Sequence, residues 1–130
     1  MPATYLDSSA LVKLAIAEPE SVALRRHLRR QSTLVSSALA RTEVMRALLL
    51  EGDEGLARGR AVLALVDLVR VNDRVLNAAG ALLPAHVRSL DAIHLATAQE
   101  LGADLRHIVT YDDRMVEAAN DLGLRTAAPV

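Results

Sequence analysis

The sequence predicts an α/β fold, a central parallel sheet of four to five short strands with helices on both faces. Three observations lead there. Short runs of β-branched and aliphatic residues alternate with segments of helical periodicity from end to end. Strands separated by helices in this way are the pattern of a parallel sheet, whose crossovers must each span a sheet face. The 130 residues carry no internal repeat, no low-complexity stretch and no Pro/Gly/Ser linker, so one domain covering 1–130 is expected.

Taken in order, Ala3 to Leu6 (ATYL) reads as a short buried strand. Leu11 to Ala17 is helical and stops near Pro19, which cannot continue a helix. Ser21 to Gln31 is a second helix, with Val22 and Leu28 expected inward and the RRHLRR run outward. Thr33 to Ser37 is a strand ending in cap-type residues. Leu39 to Glu51 is helical until Gly52 and Asp53 break it, and a further helix covers about Glu54 to Val66. Asp67 to Val71 looks like a strand, and Val75 to Leu83 like a short helix ended by Pro84. Ser89 is expected to cap a helix running through Leu101, with Gly102 just past its end. His107 to Thr110 is a strand, Asp113 to Leu122 a helix followed by Gly123, and Leu124 to Ala127 a weak last strand.

Composition narrows the function. Hydrophobic residues make up 52% and charged residues 24%, which excludes a disordered tail. Fifteen basic and sixteen acidic residues nearly cancel, so no bulk charge points to a polyanionic partner. The absence of Cys removes disulfides, thiolate zinc sites and cysteine nucleophiles. With two Tyr and no Phe or Trp, a base-stacking platform is nearly excluded and the core must be aliphatic. The start, MPATYLD, lacks the basic and apolar regions of a signal peptide, and apolar stretches such as Ala61 to Val66 fall far short of the roughly 20 residues that cross a bilayer. A cytoplasmic protein without a membrane partner is the expectation.

In open parallel sheets, ligands bind beyond the carboxyl ends of the strands. Asp7 and Asp112 fall there, each either a functional acid or the cap of the following helix. Glu43 interrupts an apolar helical line through Leu39, Ala47 and Leu50. Asp91 does the same on a line through Leu95 and Ala98. A buried carboxylate needs a partner, and two readings stand: an arginine such as Arg46 or Arg88, or a metal. Were the sheet to gather all four acids, like charges would call for a cation. Mg²⁺, with Mn²⁺ as substitute, is the natural one for carboxylate and water oxygens. Zinc fits less well, because the four His show no ligand spacing.

Four segments in order, YLDSSALVKL, SSALARTEVMRALL, SLDAIHLATAQELG and IVTYDDRMVEAANDLGL, resemble those of PIN-domain ribonucleases, most closely the VapC toxins of bacterial and archaeal toxin–antitoxin pairs. The resemblance spans essentially the whole chain and implies a single PIN-like domain. It matches Asp7 to the acid after the first strand and Glu43 to the glutamate of the third helix. It matches Asp91 to the acid opening the LDAIHLA helix, and Asp112 to the acid of the T-x-D segment. Asp113 stands beside Asp112 and could share or take over that role. Ser9 and Thr110 occupy positions where the family often has a hydroxyl near the site, although each also suits a cap or strand end. The resemblance implies Mg²⁺-dependent endonucleolytic cleavage of RNA, leaving a 5′-phosphate and a 3′-hydroxyl. Asp7, Asp91 and Asp112 would be metal ligands, and Glu43 would either bind metal or orient water. It also implies a cognate VapB-like antitoxin and a homodimer.

Other residues have plainer readings. His94, one turn after Asp91, is expected to be a core histidine satisfied by the backbone, with a role near the phosphate as the alternative. Arg25, Arg26, Arg29 and Arg30 form a basic face, either solvated or tracking an RNA backbone. Arg114 either touches phosphate or balances Asp112 and Asp113. Met45 and Met115 read as core filler and Lys13 as a snorkelling side chain. Two other functions compete. One is an interaction protein on the same fold with little or no nuclease activity. The other is a phosphotransfer enzyme with a strand-end Asp nucleophile. Its dehalogenase-like form wants an Asp where Ser9 stands, and its receiver-like form wants a late Lys, whereas the only Lys is Lys13.

Overall fold

The computed structural model describes residues 2–130. Its elements run β1 (Ala3–Leu6), α1 (Ser8–Ala15), α2 (Ser21–Leu28), β2 (Thr33–Ser37), α3 (Ala40–Ala47), α4 (Gly52–Leu63), β3 (Asp67–Val69), α5 (Asp73–Gly80), α6 (Ser89–Glu100), β4 (Leu105–Val109), α7 (Asp113–Asp121) and β5 (Thr126–Ala127). Single 3₁₀ turns, Leu49–Glu51 and Gly102–Asp104, follow α3 and α6. All strand pairs are parallel, in the order β3-β2-β1-β4-β5. Strands are added outward from β1 to β3 on one side, and the chain then crosses to place β4 on the other side of β1. The strand order therefore reverses between β1 and β4, the switch point at which open sheets form their ligand crevice.

Alternation along the strands divides the core in two. Leu6 of β1 and Val109 of β4 join Leu11, Leu24, Val44 and Val62 beneath α1 to α4. Tyr5 and Ile108 join Leu95, Ala98, Met115 and Ala119 beneath α6 and α7. Full burial of β1 on both faces explains why its four residues carry no polar alternation.

Several expectations are corrected. Val22 is 64% exposed, and α2 turns Ser21, Leu24 and Leu28 inward instead. The rotation is set by Ser21, whose buried hydroxyl donates to the Lys13 carbonyl at 2.7 Å and accepts from the Glu18 N–H at 2.9 Å. Ser89 does not cap α6. It is the first helical residue, Arg88 holds the cap position, and no side chain accepts a bond there. The line through Glu43 is not a buried stripe, because Ala47 is exposed and Leu50 is 99% exposed. Gly102 does follow α6 with φ +54°, a conformation that suits a residue without Cβ. Met115 is core, and the four arginines of the α2 region are exposed.

Candidate active site

Helices that follow parallel strands start at the carboxyl edge of the sheet, as α1, α3 and α7 do; α6 follows α5 rather than a strand, but it leads back into β4 and its first turn brings Asp91 within the charges of Asp7 and Asp112 at the same edge. Each brings one of the four acids in or beside its first turn.

Asp7 leaves β1 at the switch point. Its N–H extends the ladder by donating to the Val109 carbonyl at 3.2 Å, and its side chain caps α1. Asp7 is only 4% exposed, and both carboxylate oxygens are engaged. Oδ1 accepts from Ser9 Oγ at 2.6 Å and from the Ala10 N–H at 3.1 Å, and Oδ2 accepts from Thr110 Oγ1 at 2.5 Å. Burial pushes its pKa up, against these three hydrogen bonds and the attraction of His94. Ser9 and Thr110 are therefore more than local caps. Ser9 Oγ also accepts from the Tyr111 N–H at 3.0 Å, and Thr110 Oγ1 accepts from the Asp112 N–H at 3.1 Å. Two hydroxyls thus fasten Asp7 to the loop that carries Asp112.

Asp112 caps α7, accepting from the Arg114 N–H at 2.9 Å, and is half-buried, whereas Asp113 is exposed. Asp91 lies in the first turn of α6 and is half-buried. Burial raises its pKa first and the charge of Asp112 raises it further; Asp7 adds to this, while His94 and Arg88 pull the other way. Asp7, Asp91 and Asp112 therefore form one electrostatic group across the switch point.

Glu43, the fourth residue of α3, points elsewhere. Its Oε1 lies 2.5 Å from His94 Nε2 and accepts from Ser8 Oγ at 2.7 Å. Burial raises its pKa, but hydrogen bonds from His94 and Ser8 and the His94 charge outweigh this and lower it overall. His94 Nδ1 in turn lies 2.6 Å from the Tyr5 hydroxyl. Histidine 94 is 3% exposed and is satisfied by side chains, which corrects the expectation of a backbone partner. Tyr5 and Ser8 were not read as site residues. Ser8 follows Asp7 directly, and that adjacency was the one available signal.

None of the four acids is paired with an arginine among the described residues. The ion pairs found there are Lys13–Glu18, Lys13–Glu20, Arg74–Glu100 and Glu43–His94. Lys13 also lies 5.0 Å over the Tyr111 ring, so it is a pinned residue rather than a free snorkel. Beside Asp91 a cavity of about 360 Å³ is lined by His86, Val87, Arg88, Arg114, Glu117 and Ala118. Its three basic side chains flank the acids at the crevice mouth.

The donor set is one of hard oxygens carrying mutually repelling charge, which suits Mg²⁺ or Mn²⁺. The acids do not already form a coordination cage. No group of three acidic or histidine side chains among the described residues stands close enough to enclose an ion, because Asp7 is turned onto hydroxyls and Glu43 onto His94. The fit is one of charge and donor type.

Comparison with known proteins agrees with this architecture. The family model described as PIN domain matches residues 4–121. The chain is 62% identical over 129 residues to Ribonuclease VapC46 of Mycobacterium tuberculosis, covering 99% of both chains. It is 40% identical over 130 residues to Ribonuclease VapC47 of the same organism, covering 96% of each. Among solved structures, the fold is shared with Mycobacterium tuberculosis VapC20, described as a sarcin-ricin loop cleaving toxin. The TM-score is 0.77 at 16% identity over 97% of this chain and 99% of that one. A chain of a toxin–antitoxin complex from Klebsiella pneumoniae matches with a TM-score of 0.72 at 20% identity over 98% of both.

Proposed function

The chain belongs to the PIN-domain family, among the VapC ribonucleases, and from that premise we propose that it is a Mg²⁺-dependent endoribonuclease, the toxin of a VapBC-type pair. The observation that carries the reading is the switch-point group. Asp91 stands half-buried within reach of the charges of Asp112 and Asp7, which add to burial in pushing its pKa up, and no arginine among the described residues forms an ion pair with any of the three. Such a group is unfavourable in isolation and favourable around a divalent ion.

Asp7, Asp91 and Asp112 would hold the ion. The chemistry it supplies when bound is charge neutralisation of the scissile phosphate and a lowered pKa for the attacking water. The chain's own residues do the rest. Ser9 and Thr110 hold Asp7 in place from the β4–α7 side, so its position does not depend on its own backbone alone. Glu43, held ionised by His94 and Ser8, accepts a hydrogen bond from the attacking water and orients it. Arg88, Arg114 and His86 line the cavity beside Asp91, where they would bind RNA phosphates next to the scissile one. Arg114 is thus assigned to phosphate, and Asp113, which is exposed, to the surface.

The partner assigned to the toxin is a VapB-like antitoxin, with action in the cytoplasm and assembly as a homodimer. No helix among the described residues is long and apolar enough to cross a membrane. Exposed Leu49, Leu50 and Leu65, in the turns that follow α3 and α4, supply apolar surface for such contacts.

The test is cleavage of total RNA by the metal-free protein with Mg²⁺ restored. Asp7→Asn and Asp91→Asn should each lose about a hundredfold or more, the scale of removing one preorganised charge partner. Variants as fast as wild type under matched Mg²⁺ would refute the site. A wild-type protein that neither cleaves RNA nor melts higher in millimolar Mg²⁺ would instead favour an interaction protein on this fold.

A further inference from the structure

Glu43 is held not by an arginine, one of the two partners that sequence patterning left open, but by a line of side chains running from the sheet interior. We propose that His94 is a positioning residue for Glu43: oriented by Tyr5, it binds Oε1 and leaves Oε2 of that carboxylate free to orient the attacking water. This rests on the ribonuclease reading above.

With His94 as a neutral ring, the line has one consistent proton arrangement. Glu43 is an acceptor when ionised, so the 2.5 Å contact requires the hydrogen on His94 Nε2. Nδ1 of the neutral ring is then an acceptor, and the Tyr5 hydroxyl at 2.6 Å donates to it. The tautomer is assigned from this network. Tyr5 is fully buried, so its hydroxyl has to find a partner within the protein, and His94 Nδ1 is in reach. Ser8 Oγ adds a second donor to Oε1 at 2.7 Å. With Oε1 occupied twice, no protein donor among the described residues reaches Oε2.

Packing alone does not account for a histidine here. The residue is 3% exposed, in a helix whose other inward positions are Ala92, Leu95, Ala96, Thr97 and Ala98. An aliphatic side chain would fill that space without the cost of burying two ring nitrogens. Both nitrogens instead connect β1 to the acid on α3, with three elements between the two in sequence. The Glu43 side chain is itself 22% exposed, so a carboxylate released from His94 has solvent to turn into. His94 acts through Glu43, since its burial keeps it from touching RNA.

The experiment combines two readouts on Tyr5→Phe, His94→Gln and His94→Ala. The first is ¹⁵N NMR of the histidine rings in the metal-free protein without RNA. Wild type should show His94 as the Nε2–H form, and Tyr5→Phe should mix the tautomers. The second is RNA cleavage with Mg²⁺, with kcat and KM separated. His94→Ala should lower kcat by about 10- to 100-fold, the range for partners one shell out from a reacting group, with KM within about twofold. Its acid limb should also move to higher pH. His94→Gln, whose amide N–H can reach Oε1, should recover at least half of that loss on a logarithmic scale. The proposal is overturned by an Nδ1–H ring in wild type, by equal kcat in His94→Gln and His94→Ala, or by wild-type kcat in Tyr5→Phe. If His94→Ala does not fold, the other two variants decide. A wild-type chain that cleaves no RNA refutes the ribonuclease reading, whereas the ring spectrum judges the Tyr5–His94–Glu43 line separately.

Discussion

Replacing Thr110 by Val keeps the shape of the side chain and removes one hydroxyl that serves two partners. Thr110 Oγ1 donates to Asp7 Oδ2 at 2.5 Å and accepts from the Asp112 N–H at 3.1 Å. Asp112 is half-buried, so water can reach its amide. Asp7 is 4% exposed, and nothing replaces the lost donor. A hydrogen bond to a charged group contributes about 1.5–3 kcal/mol and a neutral one about 1 kcal/mol, so near neutral pH the variant should lose about 2–4 kcal/mol. The loss depends on pH because Asp7 has an escape, which is to take up a proton. Burial holds its folded pKa above the unfolded 3.8, despite the bonds from Ser9, Thr110 and Ala10. For an acid shifted upward, the stability contribution is complete below the unfolded pKa and is lost as pH rises through the folded one. Removing Thr110 raises the folded pKa again, so the variant goes on losing stability over a pH range where wild type has levelled off. Urea unfolding of the metal-free proteins at about pH 7.5 and about pH 4.5 measures this. The difference should be about 3 kcal/mol at the higher pH and smaller at the lower, where the raised pKa leaves a larger share of Asp7 protonated. Thr110→Ser, which keeps the hydroxyl, should stay within about 1 kcal/mol of wild type. A difference equal at both pH values would refute the claim that the hydroxyl acts by holding an ionised Asp7.

Four further outcomes are expected. Metal-free Asp91→Asn should be at least as stable as wild type in urea near neutral pH, since the burial and the Asp112 and Asp7 charges that disfavour an ionised Asp91 no longer act against it; its melting temperature should also lose any rise caused by Mg²⁺. Gly59→Ala should destabilise by about 1–3 kcal/mol in thermal melting, because the new Cβ would lie 2.6 Å from Leu48 Cδ1 and 3.2 Å from Met45 Sδ, and Leu48 is fully buried. Arg114→Ala and Arg88→Ala should raise KM for RNA more than they lower kcat, and each should flatten the logarithmic salt dependence of binding by about 0.7. His27 and His107 meet with their Nε2 atoms 2.9 Å apart, and both pKa values are lowered, chiefly by burial; this contribution is present above pH 6.5 and lost as pH falls below it, so His107→Gln should flatten the acid side of a stability profile measured in urea.

The carboxyl edge of the sheet was legible because parallel strands and their crossover helices leave a one-dimensional trace. An apolar run followed by Asp places that Asp at a strand end, and Asp7 and Asp112 lie there. The strand order was not legible, since nothing in HIVT says that it pairs with ATYL rather than with TLVSS. Patterning also misplaced Val22, because the rotation of α2 is set by Ser21 bonding to carbonyls before the helix rather than by its own apolar spacing. It found Glu43 for a partly wrong reason: the stripe it was said to interrupt ends in solvent at Leu50. The partner of Glu43 was missed because Tyr5, Ser8, Glu43 and His94 come from four separate elements, and their contacts exist only once β1 lies in the middle of the sheet.

The acids at this edge are not equivalent. Asp7 goes upward through burial and Asp91 through burial and the charges of Asp112 and Asp7, while Glu43 goes downward through its two donors. Groups pushed apart in this way take different roles in one site. The two raised acids have the most to gain from a cation, because it removes the repulsion and favours their ionised forms together. Glu43 gains least, since it is already ionised and its Oε1 is taken. Cation binding should therefore release protons from the aspartates and leave Glu43 as it was. The same division explains the closed geometry around Asp7. Hydroxyls from Ser9 and Thr110 stand where an ion would otherwise have to offset the charge, and they keep a buried carboxylate placed until one arrives.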